Sequence, residues 1–101
     1  VEVSEAHHHP AVLELSHRIL EQPGWSGPIT LQFIDGEGGP VAIEVNPRFG
    51  GGVTHAIHCG LDMPAWLLRE KLGRDLPPPP EWIDGSLMTR CRRDVFHDPQ
   101  R

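Results

Sequence analysis

Positive charge is scarce in this chain. Nine Lys plus Arg stand against fourteen Asp plus Glu, a net charge of −5, so there is no cationic field to attract nucleic acid or anionic lipid. No apolar run approaches the ~20 residues that a membrane-spanning helix needs, and the first residues lack the charged-then-apolar order of a signal peptide. The expected address is therefore the cytoplasm. The two cysteines, Cys59 and Cys91, fall in no CxxC or zinc-ligand spacing. They read as reduced thiols rather than a disulfide framework, although a single bridge is compatible with the sequence. The one lysine, Lys71, lies in a helical stretch where a solvated surface charge is the simple reading. At 101 residues the chain has room for one modest core, one domain or less, and is small for an enzyme that handles two substrates and a nucleotide.

What is present falls into recognisable periods. Residues 1–9 show none and read as the end of an element or as a disordered lead. From Pro10 the apolar residues Val12, Leu13, Leu15, Ile19 and Leu20 recur at helical spacing, with Glu14, His17, Arg18 and Glu21 between them. This predicts an amphipathic helix ending near Pro23-Gly24. Residues 27–46 switch to period two and break at Glu37-Gly38-Gly39, the pattern of a hairpin with a glycine-bearing loop. Two short helical patterns follow at 53–59 and 64–72, closed by Gly60 and Gly73. The prolines at 77–80 make a stiff connector, and residues 85–96 alternate loosely, as a returning strand would. The expected class is α+β, an antiparallel sheet with helices on one face. Residues 1–76 form its core, 77–80 the connector and 81–101 a C-terminal extension.

The hairpin carries the chemistry. With a three-residue loop, Gly36 faces Pro40, Ile34 faces Ala42, Gln32 faces Glu44 and Thr30 faces Asn46. One face then holds Ile29, Leu31, Phe33, Val41, Ile43 and Val45, an apolar surface that the first helix is expected to cover. The other holds Thr30, Gln32, Glu44 and Asn46. Cross-strand neighbours stand ~5 Å apart, so Gln32, Glu44 and Asn46 bring three oxygen-bearing side chains within reach of one hard cation. The plain alternative is the wet face of an antiparallel sheet, where polar side chains are ordinary. The continuation favours the site: Pro47 and Arg48 lead into Phe49-Gly50-Gly51-Gly52, a loop rich in backbone N–H groups, and a guanidinium suits phosphate or carboxylate oxygens.

Gly27-Pro28 through Gln32-Phe33, then Glu44-Val45-Asn46-Pro47-Arg48-Phe49-Gly50-Gly51-Gly52 and Gly60-Leu61-Asp62, resemble the ATP-grasp superfamily over residues 27–76. The likeness is strongest to the ATP-binding domains of carbamoyl phosphate synthase large chains and related carboxylate-amine ligases. It implies the C-terminal subdomain of an ATP-grasp fold, incomplete. Glu44 matches the family's central metal carboxylate and Asn46 a second metal ligand. Gln32 falls where many members place an acid. Arg48 matches the arginine that steadies the transferred phosphoryl group, and Gly50, Gly51 and Gly52 match the loop that leaves room for the acceptor. The implied cofactors are ATP and Mg²⁺, with Mn²⁺ as a substitute. The implied partners are a small-molecule carboxylate and the N-terminal subdomain, in cis or in trans. That subdomain's glycine-rich loop and phosphate-contacting lysines are not visible in the chain. The expectation is thus a segment of a carboxylate-activating ligase, inactive alone. The alternative is a non-catalytic, degenerate half that serves binding or assembly, with a homodimer hiding its open apolar face.

Other residues carry weaker signals. His7-His8-His9 suit a transition metal or, more simply, an exposed N-cap region. His55 and His58, three apart beside the glycine loop, line a substrate pocket or lie on a helix surface. Arg90 and Arg92 reach a substrate carboxylate or lie on a solvated strand edge. Trp25, Trp66 and Trp82 are expected to pack.

Overall fold

The computed structural model describes residues 2–78 and 80–100. The first helix, α1 (Pro10–Leu20), begins where the sequence supplies both halves of a start signal. Proline stands at the first position, and the ring of His9, the N-cap, accepts the Val12 amide at 3.3 Å. The third member of the histidine triplet is therefore a cap. The helix stops at Leu20, short of Pro23, and the indole N–H of Trp25 donates to the Ile19 carbonyl at 2.9 Å, satisfying an acceptor of the last turn.

Helices α2 (Val53–His58) and α3 (Met63–Lys71) lie within a residue or so of the expected stretches. They end in the same way. Gly60 donates to Ile57 at 3.1 Å and Leu61 to Ala56 at 2.9 Å, while Gly73 donates to Glu70 at 3.1 Å and Arg74 to Arg69 at 2.9 Å. This crossed pair of bonds needs a left-handed residue, and the two glycines supply it at φ 110° and 70°. Asp62 caps the start of α3 by accepting from the Ala65 amide at 3.2 Å.

The α+β class holds, with the antiparallel pairing divided between two two-stranded sheets. Strand β1 (Glu2–Glu5) occupies the stretch whose period was unreadable, and it pairs with β4 (Leu87–Arg90), with Ser4 opposite Met88. Strands β2 (Thr30–Gly36) and β3 (Gly39–Asn46) form the hairpin. Its base has the expected register, with Thr30 opposite Asn46 and Gln32 opposite Glu44. Its tip does not. Gly36 pairs with Gly39 rather than Pro40, and Ile34 with Val41 rather than Ala42. Between Gln32 and Phe33 the partner strand advances two residues, from Glu44 to Ala42, leaving Ile43 as the extra residue of a β-bulge. A shorter turn and one bulged residue cancel, which is why the base register survives. Val41 thereby joins Ile34 on the side that carries Gln32, so the apolar face is not continuous to the tip.

The core is thin. Among the described residues only Cys59 and His55 are buried, at 3% and 7% exposure, while Ile43 and Val41 stand half open. Helix α1 touches β3, but the hairpin's apolar side is only partly covered. The radius of gyration, 17.3 Å, exceeds the ~13 Å of a compact domain of this length. Around Cys59 the chain is tied most closely: Ile83 donates to the Cys59 carbonyl at 3.1 Å, and Ala6 exchanges backbone hydrogen bonds with Ser86 and Gly85 at 2.8 and 2.7 Å. Both thiols are free. Pro77, Pro78 and Pro80 belong to no helix or strand, and Pro79 lies outside the described residues. Among the described residues no helix is long and apolar enough to cross a membrane.

Candidate functional site

The base of the hairpin presents Thr30, Gln32, Glu44 and Asn46 on one face, in two directly opposed pairs. Gln32 and Glu44 are exposed and Asn46 is half-buried. Immediately beyond Asn46 the chain reverses, because Arg48 donates its amide back to the Asn46 carbonyl at 2.8 Å across Pro47. The Thr30 hydroxyl then donates to the Arg48 carbonyl at 2.8 Å. The backbone of Arg48 is thus held at both ends, and its side chain folds onto the loop that follows, Nη1 donating to the Phe49 carbonyl at 2.9 Å.

The three glycines differ in what they do. A side chain on Gly50 would meet the Thr30 hydroxyl and methyl at 3.1 Å, and Thr30 is fixed by its bond to Arg48. Gly50 is therefore required by close approach. Gly52 faces open space, and Gly51 has only the guanidinium of Arg90 at 4.0 Å. The loop's start borders a cleft of about 230 Å³ lined by Thr30, Arg48, Phe49, Gly50, Gly52 and Val53 among others.

Two residues read weakly in the sequence take defined places. Arg90, at the end of β4, is exposed at a strand edge as expected, and it also has defined partners: its Nη2 donates to the Gly51 carbonyl at 2.7 Å and to the Thr54 hydroxyl at 3.3 Å. His55 is not on a helix surface. Its ring is buried between the Ser4 hydroxyl at 2.7 Å from Nδ1 and the Ser86 hydroxyl at 3.1 Å from Nε2, joining α2 to β1 and to the residue preceding β4. His55 and His58 both line a second cleft of about 370 Å³, with Thr54, Leu87, Met88 and Thr89, and His58 remains exposed. Thr54, Ser4 and Ser86 carried no sequence signal of their own, and Thr30 was placed on the polar face without its bond to Arg48. Each acts through a partner distant in the chain, and only the pairing of strands brings them together.

His7 and His8 approach one carboxylate, Asp84, at 3.7 and 3.2 Å, and His8 stacks on Trp82 with ring centres 4.0 Å apart. Among the described residues no group of three or more His, Cys, Asp or Glu side chains gathers so as to hold a metal. The candidate set on the hairpin is of another kind, one carboxylate flanked by two amides. All three offer oxygen, which fits a hard divalent cation that keeps part of its shell as water and phosphate; a soft metal would call for His or Cys.

No curated protein matches the chain. The family model described as "ATP-grasp in the biosynthetic pathway with Ter operon" matches residues 1–93. That span takes in the hairpin, the glycine loop, all three helices and the β1–β4 pair, and on it the chain belongs to this ATP-grasp family.

Proposed function

We propose that the chain provides the metal and phosphate face of an ATP-grasp ligase that activates a small carboxylate as an acyl phosphate, in the manner of the carbamoyl phosphate synthase group and related carboxylate-amine ligases. The observation that carries this reading is the register at the hairpin base. Gln32 opposes Glu44, and Thr30 opposes Asn46, one turn of backbone away from Arg48 and the glycine loop. Family membership supplies the second support.

In this reading Glu44 would hold Mg²⁺, or Mn²⁺ in its place, with Asn46 and Gln32 completing the protein's share of oxygen ligands. A metal held there would neutralise charge on the ATP phosphates. Arg48 steadies the transferred phosphoryl group, and the loop at Gly50, Gly51 and Gly52 leaves room for the acceptor. The carboxylate oxygen attacks the terminal phosphorus and ADP departs with the electrons of the broken P–O bond. An amine or similar nucleophile then attacks the acyl carbon, loses its proton and expels inorganic phosphate. The work of these side chains is positioning and electrostatics. The N-terminal subdomain, in cis or in trans, supplies the remaining contacts to the nucleotide, and the setting is cytoplasmic.

A second reading is a non-catalytic half that binds or assembles, including as a homodimer. The half-open Ile43, Val41 and Ile34 favour it. Titration of the chain with magnesium and ATP, followed by amide NMR shifts, separates the two. Metal-dependent shifts centred on Gln32, Glu44, Asn46 and Arg48, lost in Glu44→Ala, support the ligase face. No response at millimolar concentrations of both, together with self-association, would move the assignment to the assembly module.

A further inference from the structure

The glycine loop is gripped from two sides by two guanidinium groups that come from different sheets. Arg48, following β3, takes the carbonyl of Phe49. Arg90, ending β4, takes the carbonyl of Gly51 at 2.7 Å and anchors itself on the Thr54 hydroxyl, one residue into α2. The two carbonyls belong to alternate residues. A trans peptide unit is planar, with its C=O and N–H pointing in opposite directions. Holding the Phe49 carbonyl therefore aims the Gly50 amide away from Arg48, and holding the Gly51 carbonyl aims the Gly52 amide away from Arg90. The glycines lack side chains that would limit rotation of these peptide units, so without the grips the loop amides sample many directions. A charged donor on a carbonyl is among the stronger hydrogen bonds available to do this.

We propose that Arg90 is a positioning residue of the acceptor loop. By fixing the Gly51–Gly52 peptide unit it presents the Gly52 amide toward an oxyanion, the phosphoryl or carboxylate oxygen handled beside Arg48. This rests on the ligase reading above. Through it the last strand reaches a site built on the hairpin: β4 is joined to the glycine loop by this side chain rather than by sheet hydrogen bonds, since the two sheets are separate.

The test compares the wild-type chain with Arg90→Ala, Arg90→Lys, Thr54→Val and Glu44→Ala. The ¹⁵N relaxation order parameters of the Gly51 and Gly52 amides, the affinity for magnesium and ATP read from the shifts of residues 50–52, and the urea midpoint are measured for each. Arg90→Ala is expected to lower the Gly52 order parameter and to weaken the magnesium–ATP affinity about tenfold or more. Arg90→Lys keeps the charge but not the planar fork, so it is expected to restore the urea midpoint and only part of the Gly52 order. Thr54→Val removes the anchor alone and is expected to fall between wild type and Arg90→Ala. If the wild type responds to magnesium and ATP, loses that response in Glu44→Ala, and Arg90→Ala leaves either the Gly52 order parameter or the response unchanged, the role of Arg90 is overturned while the ligase reading stands. A wild-type chain that does not respond sinks the ligase reading itself, and the ligand-facing role of Arg90 with it. Should Arg90→Ala fail to fold, Thr54→Val and Arg90→Lys decide by the same two readouts.

Discussion

The hydroxyl of Thr30 donates to the carbonyl of Arg48 at 2.8 Å, pinning the start of the glycine loop to the first residue of the hairpin. The same side chain leaves no space at Gly50, where an added methyl would lie 3.1 Å from it. Gly50→Ala is therefore expected to destabilise the chain by about 1–3 kcal/mol through overpacking against a side chain that cannot swing aside. Gly52→Ala, facing open space at a negative φ, is expected to change stability by less than about 1 kcal/mol. Urea denaturation of the two variants checks the contrast, and equal losses would contradict it.

His55 joins three elements through one buried ring. Replacing it with Leu leaves both Ser4 and Ser86 hydroxyls without their partner in the most enclosed part of the molecule. A loss of about 1–3 kcal/mol is expected. Ser4→Ala and Ser86→Ala should each cost less, and a double-mutant cycle should show both coupled to His55. Additive effects would show that the bridge does not act as a unit.

Glu44 and Gln32 stand directly opposite one another, so charge placed at Gln32 is felt at Glu44. Gln32→Glu is expected to tighten magnesium binding about tenfold or more while destabilising the metal-free hairpin by about 0.2–1 kcal/mol, because like charges then face each other across the strands. Glu44→Ala is expected to abolish binding, and Gln32→Ala to weaken it only modestly. Calorimetric titration with magnesium in the presence of ATP gives the order. Weaker binding in Gln32→Glu would remove Gln32 from the ligand set.

Asp84 links the segment before β4 to the segment before α1. Its carboxylate accepts the His8 amide at 2.9 Å, and this bond, opposed by desolvation and aided by the nearby His8 and His7 rings, holds its pKa below the ordinary 3.8. A depressed carboxyl stabilises the fold only while ionised. Its contribution is fully present above pH 3.8 and is lost as pH falls through the lower folded value. Asp84→Ala should accordingly flatten the acid limb of the urea-midpoint profile and leave Glu44-dependent metal binding near pH 7 intact. An unchanged acid limb would show that the contact does not survive in solution.

Local chemistry made much of this fold legible. Pro10, Gly60 and Gly73 mark helix ends because first-turn prolines and left-handed residues act within a few positions of themselves. The hairpin base was readable because alternation fixes which residues share a face. The tip was not, since a two-residue turn with a bulge and a three-residue turn without one give the same base register and differ in every pair from Phe33 to Gly36. The role of Arg90 was hidden for a different reason. Arginines at a strand end look alike in sequence, and Gly51 lies 39 residues away. His55 was misjudged because its helix is too short to show a buried side, and the serines that enclose it come from two distant segments.

The extra residue at Ile43 separates the hairpin into two mechanically distinct halves. On the turn side, the turn is one residue shorter than simple alternation would give, and the break in the ladder at Ile43 takes up that difference. On the other side, the opposed pairs of Gln32 with Glu44 and Thr30 with Asn46 keep their phase. The bulge thus acts as a slip joint between turn and base, so that the length of the turn does not by itself set the phase of the acid, the amides and the arginine beyond them.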